Sequence, residues 1–344
     1  MIFLRLGQHK TAVDARRMLQ TAINVEFATL PPYLYPLYSI RPGTNPAAAG
    51  RLKSIALQEM IHMTLVSNIL NALGGHPNLH PPVYPGPLPG DIGPGGVPLV
   101  VHILPFSRQA MEQGMAIETP ENPIEFPIAR ARTAGEDEAV TIGQFYAALD
   151  ELLSTLPATD WTAGRNQIID NQFFAGQLFP VNNYVDAHNA IEKIVSEGEG
   201  TANDPLDFQG DLAHYYRFGE IFYNKVLTKA NNPQGYTWGP AALGVDWDEA
   251  YPAIPDPGTY NFANATNAAR AAQAACNAAY TAMVDALQLA VTGKSEGALG
   301  NAVRAMFDLR MATRHALTVP LIDGSPEVAG PAFLYTPSHK GVTP

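Results

Sequence analysis

The most constraining feature of this 344-residue chain is a stripe on its second predicted helix. Ile55, Glu59, His62, Val66, Ile69 and Leu73 follow one another at intervals of 4, 3, 4, 3 and 4 residues. That rhythm keeps all six on one face of an α-helix, the core-facing pattern of a helix bundle. Two of the six are polar. Side chains three residues apart on a helix are neighbours, so Glu59 and His62 can reach one ion together. Glu26 stands in a second apolar stripe, three residues after Ile23, four after Ala22 and seven after Leu19. A lone ionised carboxylate inside a core is costly even after the surroundings relax. No Lys or Arg lies on either stripe. A bound cation is the simplest counter-charge.

The rest of the chain reads as all-α with long ordered loops. A helix over 13–30 is expected to stop or kink at Pro31-Pro32. Asn45 and Pro46 suit the N-cap and first position of the next helix, and Gly74-Gly75 suits a left-handed end. Further helices are expected over 108–118, 141–156, 185–197, 204–229 (Gly210 can delay this one), 262–291 and 299–319. Segments 76–105, 119–127 and 231–261 are rich in proline, and 157–182 looks irregular. The 30 prolines compare with roughly 17 expected at about 5% usage. A disordered chain would also be poor in apolar residues and highly charged. This one is 46% hydrophobic and 15% charged, so its prolines belong to ordered loops covering a packed bundle. Residues 1–230 are expected to form that bundle, with inserted loops at 76–140 and 157–182. Residues 231–344 are expected to form a loop and helical extension packed on it as one structural unit.

Two later helices offer a second set of donors. His188, Glu192, Val195 and Glu199 are spaced 4, 3 and 4 residues apart, and Asp211 and His214 repeat an acid-x-x-His step followed by Phe218 and Ile221. Either Glu192 or Glu199 can be the donor. Glu192 also reads as a solvated or supporting acid, Asp211 as an N-cap, and His188 as a hydrogen-bonded side chain rather than a ligand. The order carboxylate, Glu-x-x-His, carboxylate, acid-x-x-His on four helices is that of ferritin-like dimetal-carboxylate bundles. Two divalent ions would balance Glu26, Glu59, one of Glu192 and Glu199, and Asp211, with His62 and His214 neutral. Oxygen and imidazole donors without thiolate favour iron or manganese over structural zinc.

Composition narrows the function classes. The net charge of −11 and the lack of a Lys/Arg-rich run argue against nucleic acid. No apolar run is long enough to span a membrane. With a single cysteine, Cys276, there is no intrachain disulfide. The N-terminus does not read as a signal peptide, so a cytoplasmic protein is expected.

The stretch Leu19-Gln20-Thr21-Ala22-Ile23-Asn24-Val25-Glu26-Phe27-Ala28-Thr29-Leu30-Pro31-Pro32-Tyr33-Leu34 resembles the opening of a bacterial ferritin-like family. This is the family of the ferritin-like region in iminophenyl-pyruvate dimer synthase and chromopyrrolate synthase. Glu59-Met60-Ile61-His62, Ile117-Glu118-Thr119-Pro120-Glu121, Glu197-Gly198-Glu199-Gly200, His214-Tyr215-Tyr216-Arg217-Phe218 and Ala329-Gly330-Pro331-Ala332-Phe333 match it as well. The resemblance implies a non-haem metal site on Glu26, Glu59, His62, Glu199 and His214. It favours Glu199 over Glu192, leaves Asp211 without a firm match, and places Glu118 at a family position, whose plainer reading is a helix-terminal or supporting acid. Glu197 departs from the family's Gln-Gly-Glu-Gly at its first place. The implied function is oxidation of a small amino-acid-derived metabolite with O₂ or peroxide at two metal ions, iron or manganese, in a monomer or homo-oligomer. Tyr33, Tyr146 and Tyr215 are candidates for the pocket wall. Iron handling, as in a ferroxidase, and a non-catalytic role beside biosynthetic enzymes are the competing expectations.

Overall fold

The computed structural model describes residues 1–337 apart from 8, 121–138, 171, 175, 201–203, 233–234 and 295–296. Of the expected inserted loop 76–140, residues 121–138 therefore lie outside the described residues. Eight α-helices are described: α1 (Ala12–Ser39), α2 (Pro46–Ala72), α3 (Arg108–Ile117), α4 (Ile142–Ser154), α5 (Tyr184–Glu199), α6 (His214–Tyr223), α7 (Asn267–Val291) and α8 (Ala298–Ala316). Among the described residues strands are confined to three two-stranded antiparallel pairs, Leu4–Arg5 with Ala139–Val140, Gly86–Pro87 with Val100–Val101, and Leu227–Lys229 with Tyr236–Trp238.

The architecture is a four-helix bundle with two of its helices broken. α1 and α2 form a long hairpin. α3 and α4 pack beside α1, α5 and α6 beside α2, α3 lies against α6 and α4 against α5. α7 and α8 form a second hairpin that touches α1 and α2. One apolar cluster runs from Met18 and Leu19 on α1 through Leu65 on α2 and Phe218 on α6 to Leu287 on α7.

α1 starts with a reciprocal cap in which Asp14 N donates to Thr11 Oγ1 and Thr11 N donates to Asp14 Oδ2. Between Val25 and Pro36 it is buried on every face, as expected of a helix at the centre of a bundle. The expected stop at Pro31-Pro32 does not occur: the helix runs through Pro31, Pro32 and Pro36 to Ser39. Pro32 has no N–H for the Ala28 carbonyl one turn back. The Tyr84 hydroxyl, from the proline-rich loop, donates to Ala28 O in its place. Tertiary contact thus supplies a partner for a carbonyl that the sequence leaves open.

α2 begins after Asn45, but Asn45 does not cap it with its side chain. That side chain instead accepts from Asp246 N at 2.8 Å and donates to Asp246 O at 2.8 Å, pinning the loop after α6. The C-terminal end is as expected. Gly74 N bonds Asn71 O at 3.0 Å and Gly75 N bonds Leu70 O at 2.9 Å, with Gly74 at φ +74°. The expected helix over 204–229 is much shorter, starting only at His214 and ending at Tyr223. Asp207 holds the chain in turns before it, accepting from Gln209 N and Asp211 N at 2.9 Å each.

Candidate metal centre

The breaks in the two interrupted helices meet at one level of the bundle. The C-terminal end of α3 brings Glu118, the C-terminal end of α5 brings Glu199, and the first residue of α6 is His214. Opposite them, α1 presents Glu26 and α2 presents Glu59 and His62. Glu26, Glu59, His62 and His214 are 6%, 2%, 2% and 0% exposed.

Two triads result. Donor atoms of Glu26, Glu59 and His62 lie within 4.8 Å of one another, as do those of Glu59, Glu118 and His214. Glu59 is common to both. His62 Nδ1 is 3.6 Å from Glu26 Oε2 and 3.9 Å from Glu59 Oε1. His214 Nδ1 is 2.9 Å from Glu59 Oε1 and 3.7 Å from Glu118 Oε2. Thr29 Oγ1 donates to the other Glu59 oxygen at 2.7 Å, Tyr146 Oη to Glu26 at 2.5 Å, and Tyr33 Oη to Glu118. Each outer carboxylate therefore has its own tyrosine.

The far nitrogen of each histidine is held differently. His62 Nε2 meets the buried Glu197 carboxylate at 2.7 Å, and Glu197 also takes an ion pair from Lys193. His214 Nε2 meets the amide oxygen of Gln58 at 3.1 Å, which also accepts from Arg217 Nη1 at 2.5 Å. Both acceptors favour a proton on Nε2 and turn Nδ1 toward the carboxylates, so Nδ1 is the nitrogen that could ligate a metal once it has no proton. Among the described residues the buried His214 Nδ1 has no hydrogen-bond partner. Its 2.9 Å approach to Glu59 is misaligned for a hydrogen bond. An imidazole nitrogen and a carboxylate oxygen this close without a hydrogen bond between them could hold a cation together.

The charges agree. Burial pushes the Glu59 carboxyl well above the usual carboxylate range, and Glu118 and Glu26 push it further. Burial also opposes charge on His62, but Glu197 and Glu26 outweigh it and raise the ring to about 9. Glu197 is held at about 2, its burial overcome by His62 and Lys193. Glu26 stays below the usual range, His62 and Tyr146 outweighing its burial. Several buried acids crowd one another here, and a divalent ion would supply the positive charge that the cluster lacks and compete with protons for its donors. The all-oxygen and imidazole donor set fits iron or manganese.

The sequence-derived candidates separate into two groups. Glu26, Glu59, His62 and His214 come together. Glu199 lines the small cavity beside them, about 30 Å³ in volume, and accepts from Gly143 N at 2.8 Å. Its carboxylate thus rests on the N-terminal turn of α4, where the helix dipole favours an anion. A Cβ at residue 143 would lie 2.5 Å from Glu199 Oε2, so glycine is what lets the carboxylate approach. Glu192 is on the exposed face of α5, 3.6 Å from His188 Nε2. His188 in turn is bonded to Asp150 at 2.9 Å. Asp211 is exposed in the turn before α6, so the acid-x-x-His step is not on a helix and the two side chains share no face.

Glu118 and Glu197 are the residues that helical periodicity did not single out. Glu118 is the C-cap of a ten-residue helix, too short for a stripe to stand out. Glu197 did have a signal: Ala187, Ala190, Ile194 and Glu197 are spaced 3, 4 and 3 residues apart and are all buried. The face read from His188, Glu192, Val195 and Glu199 is offset from it by one to two residues and so points elsewhere.

A ferritin-like family model matches residues 19–223, which include every residue of the cluster. The fold is similar to the crystal structure of a ferritin-like protein from Caulobacter vibrioides. The TM-score is 0.64 at 23% identity, over 90% of this chain and 97% of that one. No curated protein matches the sequence. Among the described residues no helix is long and apolar enough to cross a membrane.

Proposed function

This chain belongs to the ferritin-like family, and from that premise we propose that it is a non-haem dimetal oxidoreductase. In this reading it uses iron, with manganese as the alternative metal, and acts with O₂ or peroxide on a small amino-acid-derived metabolite. That is the chemistry of the iminophenyl-pyruvate dimer synthase group its sequence resembles. The observation that carries the reading is Glu59 shared between two buried carboxylate–histidine triads. One position would be held by Glu26, Glu59 and His62 and the other by Glu59, Glu118 and His214, with Glu199 beside them. Redox-active ions there would supply electrons to an oxidant.

The residues around the cluster have definable tasks. Glu197 and Gln58 hold the two imidazoles with Nδ1 inward. Tyr146 and Tyr33 orient one oxygen each of Glu26 and Glu118, and Thr29 fixes one oxygen of Glu59. Val25, Ile117, Ile142 and Ile194 line the cavity with apolar surface and limit water. Its volume of about 30 Å³ suits a molecule of the size of water or O₂.

Anaerobic Fe(II) titration of the intact protein is the test. Saturation near two ions per chain is expected, and Glu59→Ala should bring this close to zero with helix content unchanged. Absence of binding in the wild type would overturn the reading. Native mass spectrometry showing a many-subunit cage that accumulates iron would replace it with iron storage.

A further inference from the structure

Away from the metal centre, α8 and the hairpin of α1 and α2 border an open cavity of about 560 Å³. That is within the usual range of about 300–1,000 Å³ for small-molecule sites. Much of its wall is apolar, including Leu37, Leu57, Met60, Met306 and Phe307. Its polar lining is unlike the rest of the molecule. Arg41, Lys53, Arg310 and Arg314 all border it and, among the described residues, no Asp or Glu does, in a chain with 32 acidic and 21 basic residues. Among the described residues none of the four forms an ion pair. Arg41 lies over the Tyr251 ring at 5.0 Å.

The cations converge. Arg310 and Arg314 are one turn apart on α8 and so share a face. Both act on the same phenol: burial pushes Tyr38 up to about 12, with the two guanidiniums pulling against it. Arg41 follows the end of α1 and Lys53 stands on α2, so positive charge enters from more than one element. Lys53 and Arg314 are exposed and Arg41 and Arg310 partly buried, and like charges gathered beside an apolar wall favour an anion that joins them. Guanidinium groups pair with carboxylates through two parallel hydrogen bonds.

We propose that this cavity is a binding site for a small organic anion with an apolar body, an acyl or aryl carboxylate. Arg310 and Arg314 take the carboxylate, with Lys53 and Arg41 adding charge, and Leu57, Met60 and Phe307 cover the body. The site is separate from the carboxylate–histidine cluster, so this inference holds or fails independently of the metal chemistry.

Isothermal titration of the intact protein with decanoate and 3-phenylpropionate provides the test, with decylamine and decanol as charge controls. Saturable binding of either carboxylate, none of decylamine and much weaker binding of decanol are expected; the stronger carboxylate identifies the acyl or aryl preference. The double variant Arg310→Gln/Arg314→Gln should weaken carboxylate binding by at least about ten-fold while leaving Fe(II) stoichiometry unchanged. Equal binding of decanol and decanoate, or unaltered carboxylate binding by the double variant, would overturn the proposal. So would sedimentation showing a self-associated form whose interface excludes the carboxylates, which would make the occupant a second copy of the chain.

Discussion

Replacing Glu197 by glutamine should make the two metal positions more alike. In the wild type they differ by what stands behind each histidine. His62 is backed by a carboxylate at 2.7 Å, with both side chains 2% exposed. His214 is backed by an amide oxygen at 3.1 Å that also accepts from the Arg217 guanidinium. An anion makes an imidazole a stronger donor, and a cation acting through an amide makes it a weaker one. Charge-assisted hydrogen bonds are about twice as strong as neutral ones, and altering such a partner costs about 10- to 100-fold in metal affinity. That corresponds to about 1.4–2.7 kcal/mol. Anaerobic Co(II) titration against a competing chelator should therefore show two unequal steps in the wild type, the tighter at Glu26, Glu59 and His62. Glu197→Gln should weaken that step within this range and bring the two together, with circular dichroism unchanged. Because the substitution also takes an ion-pair partner from Lys193, Gln58→Glu is the reciprocal arm and should strengthen the weaker step. Two wild-type steps of equal affinity, or a tighter step unmoved in Glu197→Gln, would refute the reasoning.

Two further outcomes follow from the fold. Tyr84→Phe removes the hydroxyl that donates to Ala28 O beside Pro32, and leaving a buried carbonyl unpaired costs about 1–3 kcal/mol; a denaturation midpoint that does not move would show that the helix does not need this partner. Burial raises the Cys276 thiol to about 11, so it should react with a disulfide reagent at pH 8 only as fast as the protein opens. Because the folded value lies above the unfolded one, the thiol's contribution to stability should fade as pH rises from about 9 toward 11. Rapid labelling of the native protein would contradict this.

How far the centre was legible depended on how far each signal extended along the chain. Glu59 and His62 are three residues apart on a continuous helix, and Glu26 lies on another, so apolar periodicity exposed all three. His214 was found by the same rule but for a partly mistaken reason. The acid three residues before it is not helical, and the carboxylates nearest His214 Nδ1 are Glu59 and Glu118 from elsewhere in the chain. Gly330 illustrates the same limit. In sequence it belongs to an unremarkable Gly-Pro-Ala-Phe tail, yet a Cβ there would lie 2.1 Å from the Tyr35 hydroxyl on α1. Tyr35 donates to Ile254 O at 2.7 Å, so this close packing is what requires glycine.

The amino-acid order by itself determined an all-α chain and a cluster of buried acids and imidazoles. These follow from short-range periodicity and from the cost of burying charge. Tertiary structure decided the rest. It carried α1 through three prolines with a hydroxyl from a distant loop, and it broke the third and fourth bundle helices at the level of the cluster. It also selected Glu118 and Glu197 while leaving Glu192 and Asp211 in solvent. A helical pattern states which residues share a face. Which face is buried, and what stands opposite it, depends on elements far away in the chain, and no local spacing encodes that.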